Sequence, residues 1–398
     1  MKILSIETSC DETAVSLVEA SGDFTSATYQ IRGNALFSQV DIHREYGGVF
    51  PALAKREHAA TLVPMTIKAL KDADNLEESA QKVSTETKAK IKKLLEREPG
   101  LAEKVLDFTE QHSNPEIDLI AVTAGPGLEP ALWVGVNFAK ALGILWNTPV
   151  VGVNHMEGHV LASVFSGEKL ADVQFPALSL LISGGHTELI KISDWQHYEK
   201  IGQTRDDAVG EAFDKVARLL GLPYPGGPEI SRLAQEFRNN YLNNDLNHYL
   251  NNYIKLPRPM LESGDLDFSF SGLKTAVRYA VEGKDLSEKE KQAIACEFEN
   301  AAAEVLLKKT EQAVNEHDIK SLILGGGVSA NQYLRQTFTD FFQTEYPEVT
   351  LYLPDPKLST DNSVMIALAG HARAKSALLP ATAISEIVAS GNRSLAEE

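Results

Sequence analysis

Apolar residues recur along this chain with two periods, and segments of each period alternate. Residues 2–7 alternate and then run apolar through Ile3, Leu4 and Ile6, which predicts a buried strand ending at Glu7. A polar turn, Thr8-Ser9-Cys10-Asp11-Glu12-Thr13, separates it from a second strand over Ala14–Val18. Strand, hydroxyl-and-carboxylate turn, strand describes a hairpin whose tip can face a phosphate or a metal. Gly47-Gly48-Val49-Phe50-Pro51 marks a turn, after which Ala54, His58, Leu62, Met65 and Leu70 keep a helical period. Ile117–Val122 reads as a strand, Thr123 to Gly127 as a tight turn, and Leu132, Val136, Leu142 and Leu145 as a helix. The run Pro149–Val153 predicts another short strand, and a helix follows it through Val160, Leu161, Val164 and Phe165. Such alternation indicates a largely parallel sheet covered by helices.

The pattern restarts near Pro176. Ala177–Ile182 is apolar and strand-like, ends in Ser183-Gly184-Gly185-His186-Thr187, and precedes a strand over Glu188–Ile192. Gly210 to Lys215 opens a helix closing at Leu220-Gly221, and Tyr224 to Pro228 reads as a rigid loop. Asp267 to Lys274 interleaves aromatics with serines, which fits a cleft wall and an edge strand equally. Ser321–Leu324 is again a strand, ending in the loop Gly325 to Asn331 before a helix. Paired glycines after a strand let backbone N–H groups approach a phosphate with no Cβ in the way, although a plain tight turn looks the same. Two such loops beside the N-terminal tip suggest a cleft floored by amides. Asp361-Asn362 opens a last helix, Ser363–Ala374, where Asp361 suits an N-cap and equally a metal ligand.

One stretch breaks the pattern. From about Lys71 to Asn114 the chain is dense in both signs of charge, with Leu94, Leu95, Leu101, Val105, Leu106 and Phe108 as an intermittent apolar face. It reads as two or three short amphipathic helices forming a surface insertion without a core of its own: a solvated appendage, or a surface for a partner.

Composition narrows the class. At 398 residues the chain suits two domains plus an insertion. With 43% hydrophobic and 23% charged residues it is an ordinary soluble composition, and no apolar run reaches the length of a bilayer span. The N-terminus enters strand-like sequence at once, so no signal or transit peptide is expected. Two cysteines, Cys10 and Cys296, give no disulfide framework and fit a reducing cytoplasm. A net charge of −17 excludes a whole-surface nucleic-acid binder; any RNA must be held by a local basic patch or a partner.

The densest candidate chemistry is Asn154-His155-Met156-Glu157-Gly158-His159. Positions i and i+4 share a helix face, so His155 and His159 can hold one metal ion between them. It is not the zinc-protease motif, in which a glutamate directly follows the first histidine and serves as base. Glu157 stands two residues on, about 200° round the helix, and points away.

Several stretches together carry a resemblance. They are Ile6 to Thr13, Asn154 to His159, Ser183 to Thr187, Glu211 to Lys215, Pro225 to Pro228, Phe268 to Lys274 and Gly326 to Asn331. In this order, spanning nearly the whole chain, they resemble the tRNA N6-adenosine threonylcarbamoyltransferase family, bacterial type, whose members were once labelled glycoproteases. The resemblance implies an α/β, two-lobed actin-like ATPase fold of the sugar-kinase and Hsp70 kind. The expected division is an N-terminal lobe over 1–175 with the charged insertion at 74–114, a C-terminal lobe over 176–360, and a metal-ligand loop, closing helix and tail over 361–398. The implied reaction moves the threonylcarbamoyl group from threonylcarbamoyl-AMP to the N6 amine of adenosine 37 in tRNAs that read codons beginning with adenine. Carried over position by position, His155, His159 and Asp361 are similar to the metal ligands. Leu181, Ile182, Ser183, Gly184, Gly185, Asp214, Gly227 and Asn331 match nucleotide-substrate positions, while Ser231 stands where some members place a carboxylate. The resemblance further implies a cytoplasmic protein that works with an inactive paralogue subunit, a small ATPase subunit and an upstream threonylcarbamoyl-AMP synthase.

Two imidazoles and a carboxylate suit one divalent ion, Fe(II) favoured over Zn(II), polarising the carbamoyl carbonyl. Asp11 or Glu12 is the candidate for taking the proton of the incoming amine. The rival readings are a metal-dependent endopeptidase, which lacks its adjacent glutamate here, a sugar-kinase-like phosphotransferase, which has no need of the histidine pair, and a non-catalytic dimerising scaffold.

Overall fold

The computed structural model describes residues 1–241, 254–374 and 386–397. The chain divides into two compact units. The first comprises Met1–His43, Val49–Asp172 and Thr360–Glu397; the second comprises Arg44–Gly48 and Val173–Ser359. The closing helix Ser363–Arg373 therefore packs in the first unit, although Val173–Ser359 of the second separates it in the chain from that unit's strands. Of the tail expected after it, residues 375–385 and 398 lie outside the described residues.

In the first unit, β1 (Lys2–Glu7) and β2 (Glu12–Ser21) form the expected hairpin, with Glu7 opposite Ala14. A third strand, β3 (Thr28–Ser38), pairs antiparallel with β2. β4 (Leu119–Gly125) and β5 (Val150–Asn154) run parallel to β1 and to each other, giving the order β3-β2-β1-β4-β5. The second unit repeats this plan. β6 (Ala177–Ile182), β7 (Thr187–Asp194) and β8 (His197–Gln203) are an antiparallel meander, while β9 (Ser321–Gly325) and β10 (Thr350–Tyr352) run parallel to β6, in the order β10-β9-β6-β7-β8. Two copies of one mixed five-stranded sheet with helical crossovers are the two-lobed actin-like arrangement. A largely parallel sheet holds for only one side of each copy, because β3 and β8, with few inward apolar residues, give almost no sequence signal.

Burial follows the strands. The first core gathers Leu4, Ile6, Val15, Ile120 and Val122 under Leu132, Val136 and Phe138 of the helix Glu129–Trp146. The second gathers Leu178, Leu180 and Ile182 with Phe213, Phe237 and Phe298.

The charged segment forms short amphipathic helices as expected, but of its two expected roles the solvated appendage does not hold. The helices are Thr85–Leu94 and Leu101–Gln111, and Ile91, Leu101 and Val105 are wholly buried in the first unit's core. Each such aliphatic contributes roughly 1.5–3 kcal/mol by leaving water, so the apolar stripe docks the segment however charged its outer face is. Two local readings also change. Tyr224 to Pro228 is not all loop: the helix Gly226–Tyr241 starts within it, and Pro228 sits in the first turn, where a missing N–H breaks no intrahelical bond. Asp267 to Lys274 is not an edge strand beyond a single Thr204–Phe268 bridge; Phe268 and Phe270 are buried and the helix Ser271–Val281 follows. Among the described residues, no helix is long and apolar enough to cross a membrane.

Candidate functional site

β5 ends at Asn154, whose side-chain oxygen accepts from the Met156 N–H at 2.9 Å and so caps the helix His155–Ser163 at its first residue. That cap sets His155 and His159 on one face, their ring centroids 4.7 Å apart. Asp361 joins them, its Oδ1 3.4 Å from His155 Nε2 and 3.2 Å from His159 Nε2. It is free to do so because Asn362, not Asp361, is the N-cap of the following helix, accepting from Met365 N–H at 3.0 Å. All three ligand atoms lie within 4.8 Å of one another. Among the described residues, His159 Nε2 is buried with no hydrogen-bond partner, since Asp361 stands close but at the wrong angle.

Glu7, at the end of β1, completes the arrangement. It is wholly buried and its Oε2 accepts from His155 Nδ1 at 3.0 Å and from Thr123 Oγ1 at 2.7 Å, while Oε1 accepts from Ser9 N–H at 2.5 Å. With Nδ1 donating to Glu7, the Nε2 lone pair of His155 is directed at Asp361 and the His159 ring. The donor set, the fixed tautomer and the orphaned His159 nitrogen fit a divalent metal ion. The two carboxylates make the field at His155 anionic, which favours a cation there, whether a proton or a metal. Burial opposes charge on His155, but Asp361 and Glu7 outweigh it and raise its pKa well above the usual histidine value. Burial lowers that of His159. Asp361 is also resisted by burial, yet His155 holds it well below the usual carboxylate range. Glu157 is unavailable as a water-activating base, because both its oxygens accept from Arg373 Nε at 3.0 and 3.1 Å.

The hairpin tip lies in the same unit. Asp11 is buried, with Oδ2 lacking a partner among the described residues, and Ser9 Oγ reaches Asp361 Oδ2 at 3.4 Å. Burial raises the pKa of Asp11. It pushes Glu12 up to about 10, with Asp11 and Asp361 repelling its charge in addition. The tip backbone is pinned by His58, wholly buried on the helix Pro51–Asp72: Nε2 donates to the Cys10 carbonyl at 3.0 Å and Nδ1 accepts from Thr13 Oγ1 at 2.8 Å. Burial lowers its pKa to about 4. Glu7 and His58 were visible in the sequence only as a strand end and a helical core position.

The nucleotide positions fall in the second unit, at the ends of β6 and β9. Leu181 and Ile182 are buried in β6; Ser183 turns the chain, its Oγ accepting from the Gly185 and His186 N–H groups at 3.3 and 3.1 Å. The glycines divide into two kinds. A Cβ on Gly210 would lie 2.5 Å from the Ser183 carbonyl, one on Gly326, where φ is +88°, would strike the Ile182 carbonyl, and one on Gly226 would meet Ala217. Gly184, Gly185, Gly227 and Gly327 have ordinary φ and open space where a Cβ would stand, so nothing in the fold requires them to be glycine. Asp214 Oδ1 accepts from Gly226 N–H at 2.7 Å. Asn331 caps the helix Gln332–Glu345 through Leu334 N–H at 3.0 Å and donates to Ser231 Oγ at 2.8 Å and Glu299 Oε1 at 2.7 Å. Glu299, buried, also accepts from Ser231 Oγ at 2.7 Å and Arg238 Nη1 at 2.5 Å. Both Asn331 and Asp214 therefore hold the loops, and Glu299 was not singled out by sequence.

Comparison with known proteins bears on the whole chain. A family model described as tRNA N6-adenosine threonylcarbamoyltransferase matches residues 30–84 and 90–368. The chain is 40% identical to the protein of that name from Variovorax paradoxus (strain S110) over 384 residues, covering 96% of this chain and 93% of the relative. Its namesake from Polynucleobacter necessarius subsp. necessarius (strain STIR1) is 42% identical over 386 residues, covering 94% and 92%. Among solved structures, (R)-2-hydroxyglutaryl-CoA dehydratase component A of Acidaminococcus fermentans aligns at 10% identity with a TM-score of 0.44, covering 97% of this chain and 99% of that one.

Proposed function

The chain belongs to the tRNA N6-adenosine threonylcarbamoyltransferase family, and from that premise we propose how its own residues divide the work of the reaction. It is an acyltransferase acting on tRNA. The donor is threonylcarbamoyl-AMP, and the acceptor is the N6 amine of adenosine 37 in tRNAs reading codons that begin with adenine. The observation that carries the division is the His155–His159–Asp361 group, with three ligand atoms within 4.8 Å and Glu7 fixing the tautomer of His155.

His155, His159 and Asp361 hold one divalent ion, Fe(II), with Zn(II) also compatible with two imidazoles and a carboxylate. When bound, the ion supplies a Lewis acid for the carbonyl of the threonylcarbamoyl group. Glu7 keeps His155 ligating through Nε2, and Ser9 orients the far oxygen of Asp361. The adenylate is held in the second unit by Leu181 to Gly185, Asp214, Gly227 and Asn331. Support comes from Gly184, Gly185, Gly227 and Gly327, which leave backbone exposed without a conformational need for glycine. At the tip, Glu12 keeps its proton at neutral pH, which leaves Asp11 to accept or orient the proton of the attacking amine. The N6 nitrogen forms the new bond to the carbamoyl carbon, AMP departs with the bonding electrons, and the amine proton passes to the carboxylate. The partners we propose are the inactive paralogue and small ATPase subunits, a synthase that delivers the donor, and a cytoplasmic setting.

The test is mass analysis of tRNA nucleosides from cells with and without the gene. Threonylcarbamoyladenosine should disappear on deletion, return with the wild-type gene, and not return with the His155→Ala, His159→Ala double variant. Restoration by the double variant would remove the metal group from the reaction, and an unchanged nucleoside profile on deletion would remove the reaction itself.

A further inference from the structure

The helix Thr85–Leu94 turns Ile91 and Leu94 inward, Ile91 being wholly buried. At 100° per residue this leaves Lys90, Lys92 and Lys93 spread over the arc away from the core, with Lys88 on its flank. Lys90, Lys92 and Lys93 are exposed, as are Lys82 before the helix and Arg97 after it. Over residues 82–97 six lysines and arginines face two glutamates, Glu86 and Glu96, apart from the buried Glu98, in a chain whose net charge is −17. Several exposed cations elsewhere are paired: Arg205 with Asp265 and Asp267, Arg232 with Glu229 and Glu236. Here only Lys88 is, with Glu110 at 2.7 Å; Lys90, Lys92, Lys93 and Arg97 form no ion pair among the described residues. Attraction to the helix C-terminal dipole accounts for a few tenths of a kcal/mol at Lys92 and Lys93 and says nothing of Lys90 or Arg97.

Unpaired like charges held about a helix turn apart repel one another, so an anionic partner gains from all of them at once. We propose that the outer face of Thr85–Leu94, with Arg97, is a docking surface for the phosphate backbone of the tRNA substrate. The complementarity is of charge and spacing: a rigid, core-anchored helix presents flexible ammonium groups to a polyanion, an interaction that positions RNA without reading bases. An acidic protein partner is the competing occupant, disfavoured because no aromatic or large apolar residue accompanies the lysines on that face. The proposal rests on tRNA being the substrate.

The experiment uses the complete chain with its partner subunits and full-length tRNA, comparing wild type with Lys90→Gln, Lys92→Gln, Lys93→Gln, Arg97→Gln combined. A second variant carries Lys90→Arg, Lys92→Arg and Lys93→Arg. Expected for the glutamine variant is a tRNA KM raised about tenfold at low ionic strength. The slope of log KM against log salt should be smaller by about 3, since each phosphate no longer neutralised removes roughly 0.7–0.9. The kcat, the donor KM and the melting temperature should be unchanged, and the arginine variant should behave as wild type. An unchanged tRNA KM and salt slope would overturn the proposal and leave a solvated face. Weakened subunit assembly with unchanged tRNA affinity would overturn it in favour of the protein partner. Wild-type transfer to tRNA in the same assay shows the family activity, so failure of the surface and failure of that activity are told apart.

Discussion

The two units share one sheet order and put different chemistry on it. In the first, the ends of β1 and β5 deliver side chains: Glu7, His155 and, from far along the chain, Asp361. In the second, the corresponding ends of β6 and β9 deliver backbone, through Ser183 to Gly185 and Gly326 to Asn331, with side chains such as Glu299 turned to holding the loops. The proposed function therefore asks one scaffold to serve a metal, which needs lone pairs, and a nucleotide phosphate, which needs N–H donors. The lesson is that topology fixes where chemistry sits, and the residue types at the strand ends fix which chemistry it is.

The largest expected effect breaks the first unit's side of this contrast. Substituting His155 and His159 by alanine should abolish transfer and bring metal content to background by elemental analysis, with circular dichroism unchanged. Retained metal at one ion per chain would place the site elsewhere.

Next comes the loop anchor of the second unit. Glu299→Ala leaves the guanidinium of Arg238, itself largely buried, without its carboxylate, which should cost about 3–5 kcal/mol in urea unfolding. It should also weaken AMP binding measured by calorimetry, because Asn331 loses the same carboxylate. Unfolding cost with unchanged AMP affinity would make Glu299 structural only.

The third prediction concerns pH. His58 has its pKa lowered from 6.5 to about 4 by burial, so the unfolded chain takes up a proton before the folded one does. Its contribution is fully present above pH 6.5 and is lost as pH falls from 6.5 through 4, by roughly 3 kcal/mol in total. A His58→Gln variant should show a flatter fall in stability over that window. An identical slope would mean that His58 does not stay neutral in the fold.

Smaller still, Glu7→Gln keeps one acceptor for His155 and removes the charge, and should weaken metal binding by about 10–100-fold in competition with a chelator. Least in stability, Gly185→Val should change unfolding by under about 1 kcal/mol yet abolish AMP binding, whereas Gly326→Ala should unfold the loop through its positive φ and the Ile182 carbonyl. Equal nucleotide affinity in wild type and Gly185→Val would make the open glycines mere turn residues.

The central strands and the helices that cover them were legible, because burial on both faces writes long apolar runs such as Ala177–Ile182 and Pro149–Val153. The edges were not. β3 exposes Thr28, Gln30, Arg32 and Asn34, and β8 reads His-Tyr-Glu-Lys-Ile-Gly-Gln, so neither has a two-residue alternation strong enough to detect. In residues 74–114 the apolar face through Leu101 and Val105 was legible, but Ile91, wholly buried between Lys90 and Lys92, was hidden by the lysines around it in a linear reading.

By itself the sequence determined the repeated strand–helix order, the His155–His159 spacing that a single helix converts into one face, and the candidate ligands by residue type. Tertiary structure alone decided that Asn362 takes the N-cap and releases Asp361, and that Glu7, 148 residues before His155, sets its tautomer. It also decided that the open glycines differ from the constrained ones, and that Arg373 occupies Glu157. The physical reason is range: helix period and strand burial act between neighbours along the chain, whereas hydrogen bonds of a buried carboxylate are assigned only once the sheet brings distant residues within about 3 Å.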